Sequence, residues 1–255
     1  MTLREVLGQY QTNLVKAASI TGLGQQIIDV SVNALNKIEQ GSSEHLTRQK
    51  ISNHIQLLQN LYKSPVLGEL VPTISGQQVV LTVSAFEVFM SDLVRCLGNN
   101  HRSAIGWPGG SSSGKVDLTI LNSDVATIGD LVLGIVEQQN ISFQDLQSTK
   151  RFLKEYLGIE FSLLPGEEED LILGAAIRNV LVHAGGLVDS KFLTQLRNTR
   201  YATQYTHNQK LEITPDEAKK FMSVFQKAGR NIYAKVNAKI GGVESALIRK
   251  TIIKE

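Results

Sequence analysis

A single cysteine, Cys96, stands among the 255 residues. It excludes an internal disulfide and any cysteine-based zinc cage. No apolar run approaches the length needed to span a bilayer, and no signal peptide opens the chain. The reading from these absences is a soluble, cytoplasmic protein. Two motifs also lack the parts that would make them work. Gly109-Gly110-Ser111-Ser112-Ser113-Gly114-Lys115 has the spacing of a phosphate-binding loop. However, Val116 stands where magnesium needs a hydroxyl, and Trp107-Pro108 precedes it instead of a buried strand. A flexible Gly/Ser-rich loop is the better reading. Glu167-Glu168-Glu169-Asp170 has no histidine spaced to join it, so helix capping fits better than metal binding.

Net charge is low, at +2, but unevenly spread. Residues 1–190 hold 13 Lys/Arg against 19 Asp/Glu, and residues 191–255 hold 13 against 5. The basic final quarter suggests an anionic partner. Its cations include Lys219, Lys220, Lys227 and Arg230, clustered on one helix face. That face is either ordinary solvated surface or a track for a nucleic-acid backbone, bound in a salt-dependent way.

What is present is helical periodicity, in nearly every segment. Residues 2–20, 25–40 and 44–62 read as amphipathic helices, parted by Gly22 and Gly24 and by Gly41-Ser42-Ser43. In the second, Ile27, Ile28, Val32, Leu35 and Ile38 form one stripe, suited to covering the core or a neighbouring subunit. Pro65 and Pro72 mark a break and a candidate boundary between an N-terminal helical region, 1–70, and a helical domain, 71–255. Ile74 to Leu97 should be a long helix burying Val79, Val83, Phe86, Met90, Leu93 and Leu97. Glu87 and Asp92 interrupt it, as solvated surface or as a carboxylate serving a site. Asp124–Gln138 and Phe143–Leu157 follow as helices, then the motif helix from near Leu171. Asp189 or Ser190 can cap a helix to about Arg200, and Tyr201–Leu211 reads as a loop or hairpin. Thr214-Pro215-Asp216-Glu217 is a strong helix start, opening a helix that buries Phe221, Val224, Phe225, Ala228 and Ile232.

The most informative stretch is Arg178-Asn179-Val180-Leu181-Val182-His183-Ala184-Gly185-Gly186. Asn179 and His183 stack on one helix face with Arg178 on the flank, while Leu173, Ile177, Leu181 and Ala184 form an apolar face. Gly185 or Gly186 can end the helix in the left-handed conformation. His183 then lies in the last turn, where the helix dipole favours its cation. Such a histidine changes charge near neutral pH, and an arginine beside it can hold an anion. Two readings coexist: this working pair, or a structural ion-pair arginine and an ordinary C-terminal histidine.

The Arg178-Asn179-x-x-x-His183 pattern, with Gly185-Gly186, Val188-Asp189 and Phe192, resembles the signature of the all-helical HEPN superfamily. It is closest to the RiboL-PSP-HEPN or MAE-type group. Val79 to Leu97 is similar to that group's first core helix, and Ile141-Ser142-Phe143-Gln144-Asp145 to its middle segment. The resemblance spans roughly residues 72 to 200. It implies an all-α, multi-helix HEPN-like bundle with additional N-terminal and C-terminal helices. Many such proteins are metal-independent endoribonucleases of prokaryotic defence or toxin systems, acting as dimers with paired Arg/His motifs; others are non-catalytic binding modules. Gly185 stands where a partner-regulated subgroup carries tyrosine, which argues against that mode of control.

Carried onto this chain, the resemblance implies cleavage of RNA by its own 2′-hydroxyl. His183 would act as base or acid, Arg178 as stabiliser of the phosphorane charge, and Asn179 as a group fixing the ring or a phosphate oxygen. Glu87 is the carboxylate candidate. No metal or other cofactor is required. One imidazole per motif calls for a second copy, hence a homodimer with facing motif helices and the basic face of residues 219–230 flanking the shared cleft. RNA is the expected ligand, and an antitoxin or other defence-system protein a possible partner. Arg178→Ala and His183→Ala are expected to remove activity and leave the melting temperature nearly unchanged.

Overall fold

Local chemistry sets the helix starts. The computed structural model describes residues 1–41, 45–62, 65–106 and 127–252. The phosphate-loop-like stretch, Gly109–Lys115, lies outside them. Helix α1, Leu3–Gly41, opens on a reciprocal cap: Thr2 N–H donates to Glu5 Oε2 at 2.7 Å and Glu5 N–H to Thr2 Oγ1 at 3.3 Å. Helix α2 is His45–Tyr62 and α3 is Pro65–Asn100, followed by a short 3₁₀ turn, Arg102–Ala104. Thr127 caps α4, Ile128–Gln138, and Asp145 caps α5, Leu146–Leu157. Helix α6 is Pro165–His183, α7 is Ser190–Leu196 capped by Asp189, and α8 is Pro215–Ile252. At the head of α8, Thr214 and Glu217 exchange the expected capping-box hydrogen bonds. No strand forms among the described residues beyond an isolated antiparallel bridge, Leu187 to Lys210. The chain is an all-α, multi-helix bundle.

Two boundaries differ from the sequence reading. Helix α1 continues through Gly22 and Gly24, and α3 begins at Pro65 and carries Pro72 in its interior. The expected division at residue 70 therefore falls inside a helix. The start of α1 belongs to the main core, since Leu3, Val6, Tyr10 and Leu14 are buried with α3 and α8. Farther along α1, Val32 and Leu35 are half-buried and Ile38 is exposed; the side chains of Ile27 and Ile28 lie outside the described set.

The core is aromatic where α1, α3 and α8 meet. Tyr10 stacks on Phe89 with ring centroids 4.7 Å apart, and Phe86 meets Phe225 edge-on at 5.5 Å. The buried Tyr10 hydroxyl donates to the Phe225 carbonyl at 2.6 Å, which satisfies it. Every residue expected inside α3 and α8 is buried. No described helix is long and apolar enough to cross a membrane.

Candidate active site

Helix α6 delivers the motif. Leu171, Leu173, Ile177 and Val180 are buried, which fixes the rotation of the helix and leaves Arg178 and Asn179 on its flank. Its end is built by the two glycines, both at positive φ: Gly185 at 60° and Gly186 at 84°. The Gly186 N–H bonds back to the Val180 carbonyl at 3.1 Å. The chain then pairs with a returning segment, through Leu211 N–H to Gly186 O at 2.8 Å and Val188 N–H to Gln209 O at 2.9 Å. His183 thus sits exposed on a last turn held from both sides.

Arg178 is the hub. Its Nη1 donates to Asn179 Oδ1 at 3.1 Å and makes a long contact of 3.5 Å with His183 Nε2. A guanidinium only donates, so this contact is a hydrogen bond only in the tautomer that leaves Nε2 without a proton. Asn179 reaches the ring only by way of Arg178; its oxygen is spent on the arginine.

Across from α6, α3 supplies Glu87. Its Oε1 lies 3.7 Å from Arg178 Nε, with side-chain exposures of 18% and 13% for Glu87 and Arg178. That distance pairs the charges without a hydrogen bond, and neither atom has another hydrogen-bond partner. Buried polar atoms left in this condition are uncommon. Burial pushes the Glu87 carboxyl above its usual range, against the opposing pull of the Arg178 cation and of the Gln144 amide, 3.5 Å from Oε2. The expectation that Arg178→Ala would leave stability nearly unchanged is therefore revised: removing the guanidinium strands a largely buried carboxylate. For His183, which is exposed, the expectation is unchanged.

Glu87 also lines an open cleft of about 500 Å³, with Glu137, Asn140, Ser142 and Gln144 on its other wall. Sequence reasoning passed over this wall. Ser142 and Gln144 lie in a stretch singled out only for its resemblance, and nothing local shows that a loop will face Glu87. Asp92 instead pairs with Arg95 at 3.1 Å.

The expected RNA-binding cations divide. Lys220 donates to Asp170 Oδ1 at 2.8 Å, and Lys227 pairs with Glu167. Lys219 makes a loose, exposed pair with Asp216 at 3.6 Å. Arg230 is exposed and unpaired among the described residues. The acidic run heading α6 is neutralised throughout: Glu168 pairs with Lys150 at 2.6 Å, Glu169 with Arg200 at 3.6 Å and Asp170 with Arg200 at 2.6 Å. Glu167 also accepts the Leu164 N–H at 3.3 Å, as a cap should. Lys220 and Lys227 therefore belong to the start of α6, some 13 to 16 residues and roughly 20–24 Å along the helix from His183. Within one protomer they do not flank the motif.

No family model, curated protein or solved structure matches the chain.

Proposed function

We propose that this chain is a HEPN-like, metal-independent endoribonuclease. The observation that carries the reading is the cluster at the end of α6, where Arg178 touches His183, Asn179 and Glu87 beside an open cleft. The imidazole of His183, through its unprotonated ring nitrogen, removes the proton from a ribose 2′-hydroxyl. The freed oxygen attacks the adjacent phosphorus and the bond to the 5′-oxygen breaks. The second imidazole of a homodimer enters the step as imidazolium and gives its proton to that leaving oxygen, so that the two rings exchange protonation states. Arg178 neutralises charge building on the phosphorane, and Glu87 holds Arg178 in place. The products carry a 2′,3′-cyclic phosphate and a 5′-hydroxyl, and DNA is inert. Such an activity suits a defence or toxin system, restrained by an antitoxin or other partner protein in the cytoplasm.

The test is incubation of purified protein with mixed RNA in EDTA, followed by analysis of the ends, with sedimentation in parallel. Cyclic-phosphate ends from the wild type, none from His183→Ala and a dimer at micromolar concentration are expected. Uncut RNA, or an active monomer, defeats the shared-site mechanism. The pairing of Arg178 with Glu87 favours a second reading, a non-catalytic binding module in which Arg178 is structural. In that case RNA is bound intact and His183→Ala changes nothing.

A further inference from the structure

The cleft beside Arg178 has the wrong chemistry for phosphate. Among the described residues no lysine, arginine or histidine lines it, whereas Glu87 and Glu137 do. Glu87 is engaged by Arg178 and Gln144. Glu137 is exposed and has no ion-pair partner among the described residues. The amides of Asn140 and Gln144 and the hydroxyls of Ser91 and Ser142 complete the polar lining, beside buried Ile141 and Phe143. The wall is built rather than loose: Arg151 Nη2 donates to the carbonyls of Gln139 at 2.7 Å and Asn140 at 3.2 Å. Asn140 holds the turn at a φ of 56°. At about 500 Å³ the space suits a small ligand rather than a helix.

We infer that this cleft receives a guanine base, read by Glu137, of the nucleotide whose 3′-phosphate lies at Arg178 and His183. This rests on the ribonuclease reading and adds to it a preference for cleavage after guanosine. A carboxylate accepts two hydrogen bonds side by side. Guanine alone offers two adjacent N–H donors on its Watson–Crick edge, N1–H and the N2 amino group. Adenine and cytosine place a ring acceptor beside their amino group, and uracil flanks its single N–H with two carbonyls; both arrangements meet the carboxylate with repulsion. Glu87, touching Arg178 on one side and the cleft on the other, makes the phosphate and base positions contiguous. The base plane lies on Ile141 and Phe143, and Asn140 and Ser142 remain for its other polar edges.

The experiment is calorimetric titration of full-length protein with the four nucleoside 3′-monophosphates, which share a phosphate and differ in base. Tighter binding of 3′-GMP is expected, with Glu137→Gln weakening it about tenfold and leaving 3′-UMP unchanged. Ser142→Trp, which fills the cleft from an exposed position, should remove the preference as well, while Arg178→Ala weakens all four nucleotides alike. Equal affinities, a guanosine preference that survives both cleft variants, or no binding at millimolar nucleotide overturns the inference. Guanosine preference without any RNA cleavage keeps the cleft and rejects the nuclease reading, so the two failures are distinguishable.

Discussion

Two carboxylates in this bundle are buried to different ends. Asp170 is 5% exposed and accepts from Lys220, Arg200 and Tyr201, all on Oδ1. Burial alone would raise its carboxyl, but these three donors outweigh it and hold it below the usual range. Its ionised form thus stabilises the fold at pH values above the unfolded pKa of about 3.9, and that contribution disappears as pH falls through the lower folded value. Glu87 runs the other way. Its folded pKa is raised, so the protein loses stability as pH climbs from about 4.3 through that value. Melting curves between about pH 2 and pH 7 should show Asp170→Asn losing on the order of 2 kcal/mol at neutral pH and little in acid. Glu87→Gln should flatten the weakly acidic limb. A second comparison concerns the motif. Arg178→Ala should cost roughly 1–3 kcal/mol, most of it recovered when Glu87→Gln is added, while His183→Ala stays within about 0.5 kcal/mol of wild type. Equal melting temperatures for both alanine variants would mean the Arg178–Glu87 pair contributes nothing to the fold.

Helix contacts give a sharper test than helix propensities do. In α8, a methyl at Gly229 would run into the ring of Tyr10, whereas a methyl at Gly8 in α1 would meet nothing within 4 Å. Gly8→Ala should therefore add about 0.5–1 kcal/mol, the ordinary gain for an exposed helical glycine. Gly229→Ala should lose about 1–3 kcal/mol, because Tyr10 is pinned by its hydrogen bond and its stack on Phe89 and has nowhere to move. Denaturant titration of the two variants checks the opposite signs. The same contrast explains what the sequence could tell. Helices with a cap and an apolar stripe were legible: Thr214 with Glu217, Asp189, and the buried faces of α3, α6 and α8. The run of α1 through Gly22 and Gly24, and of α3 through Pro72, was not. Glycine and proline weaken a helix locally, whereas here the chain is helical on both sides of each. At the site, Arg178, Asn179, His183 and Glu87 could be picked because they interrupt apolar faces. Gln144 and Glu137 could not, since only the packing of α3 beside the α4–α5 connection brings them to Glu87.

Across the whole molecule, much of the basic charge of the final quarter is already spoken for. Arg200, Lys220 and Lys227 neutralise the acidic head of α6. Lys235 donates to the Glu160 carbonyl at 2.5 Å, just beyond α5, and Lys239 to the carbonyl of Leu157, the last residue of that helix. A charge count along the sequence sees an anion-binding surface; the fold uses a large part of it as internal fastening. Lys220→Ala and Lys227→Ala should each lower the melting temperature, Lys220→Ala the more because its partner Asp170 is buried, and barely alter RNA affinity. Arg230→Ala should leave the melting temperature alone and reduce the salt slope of RNA binding by about one. Parallel thermal melts and salt-titrated binding separate the two classes, and a uniform loss of RNA affinity across all three variants would restore the continuous basic track.

The junction of Tyr10 with Phe225 also sets a clock. These partners lie 215 positions apart, so a ribosome adding about 5–20 residues per second delivers α8 roughly 10–40 s after α1. During that interval Val6, Tyr10 and Leu14 have no finished surface to bury against. The bundle therefore closes only after α8 has emerged; until then α1 has α3 to pack on, through the stack of Tyr10 on Phe89, while the Tyr10 hydroxyl waits for its acceptor.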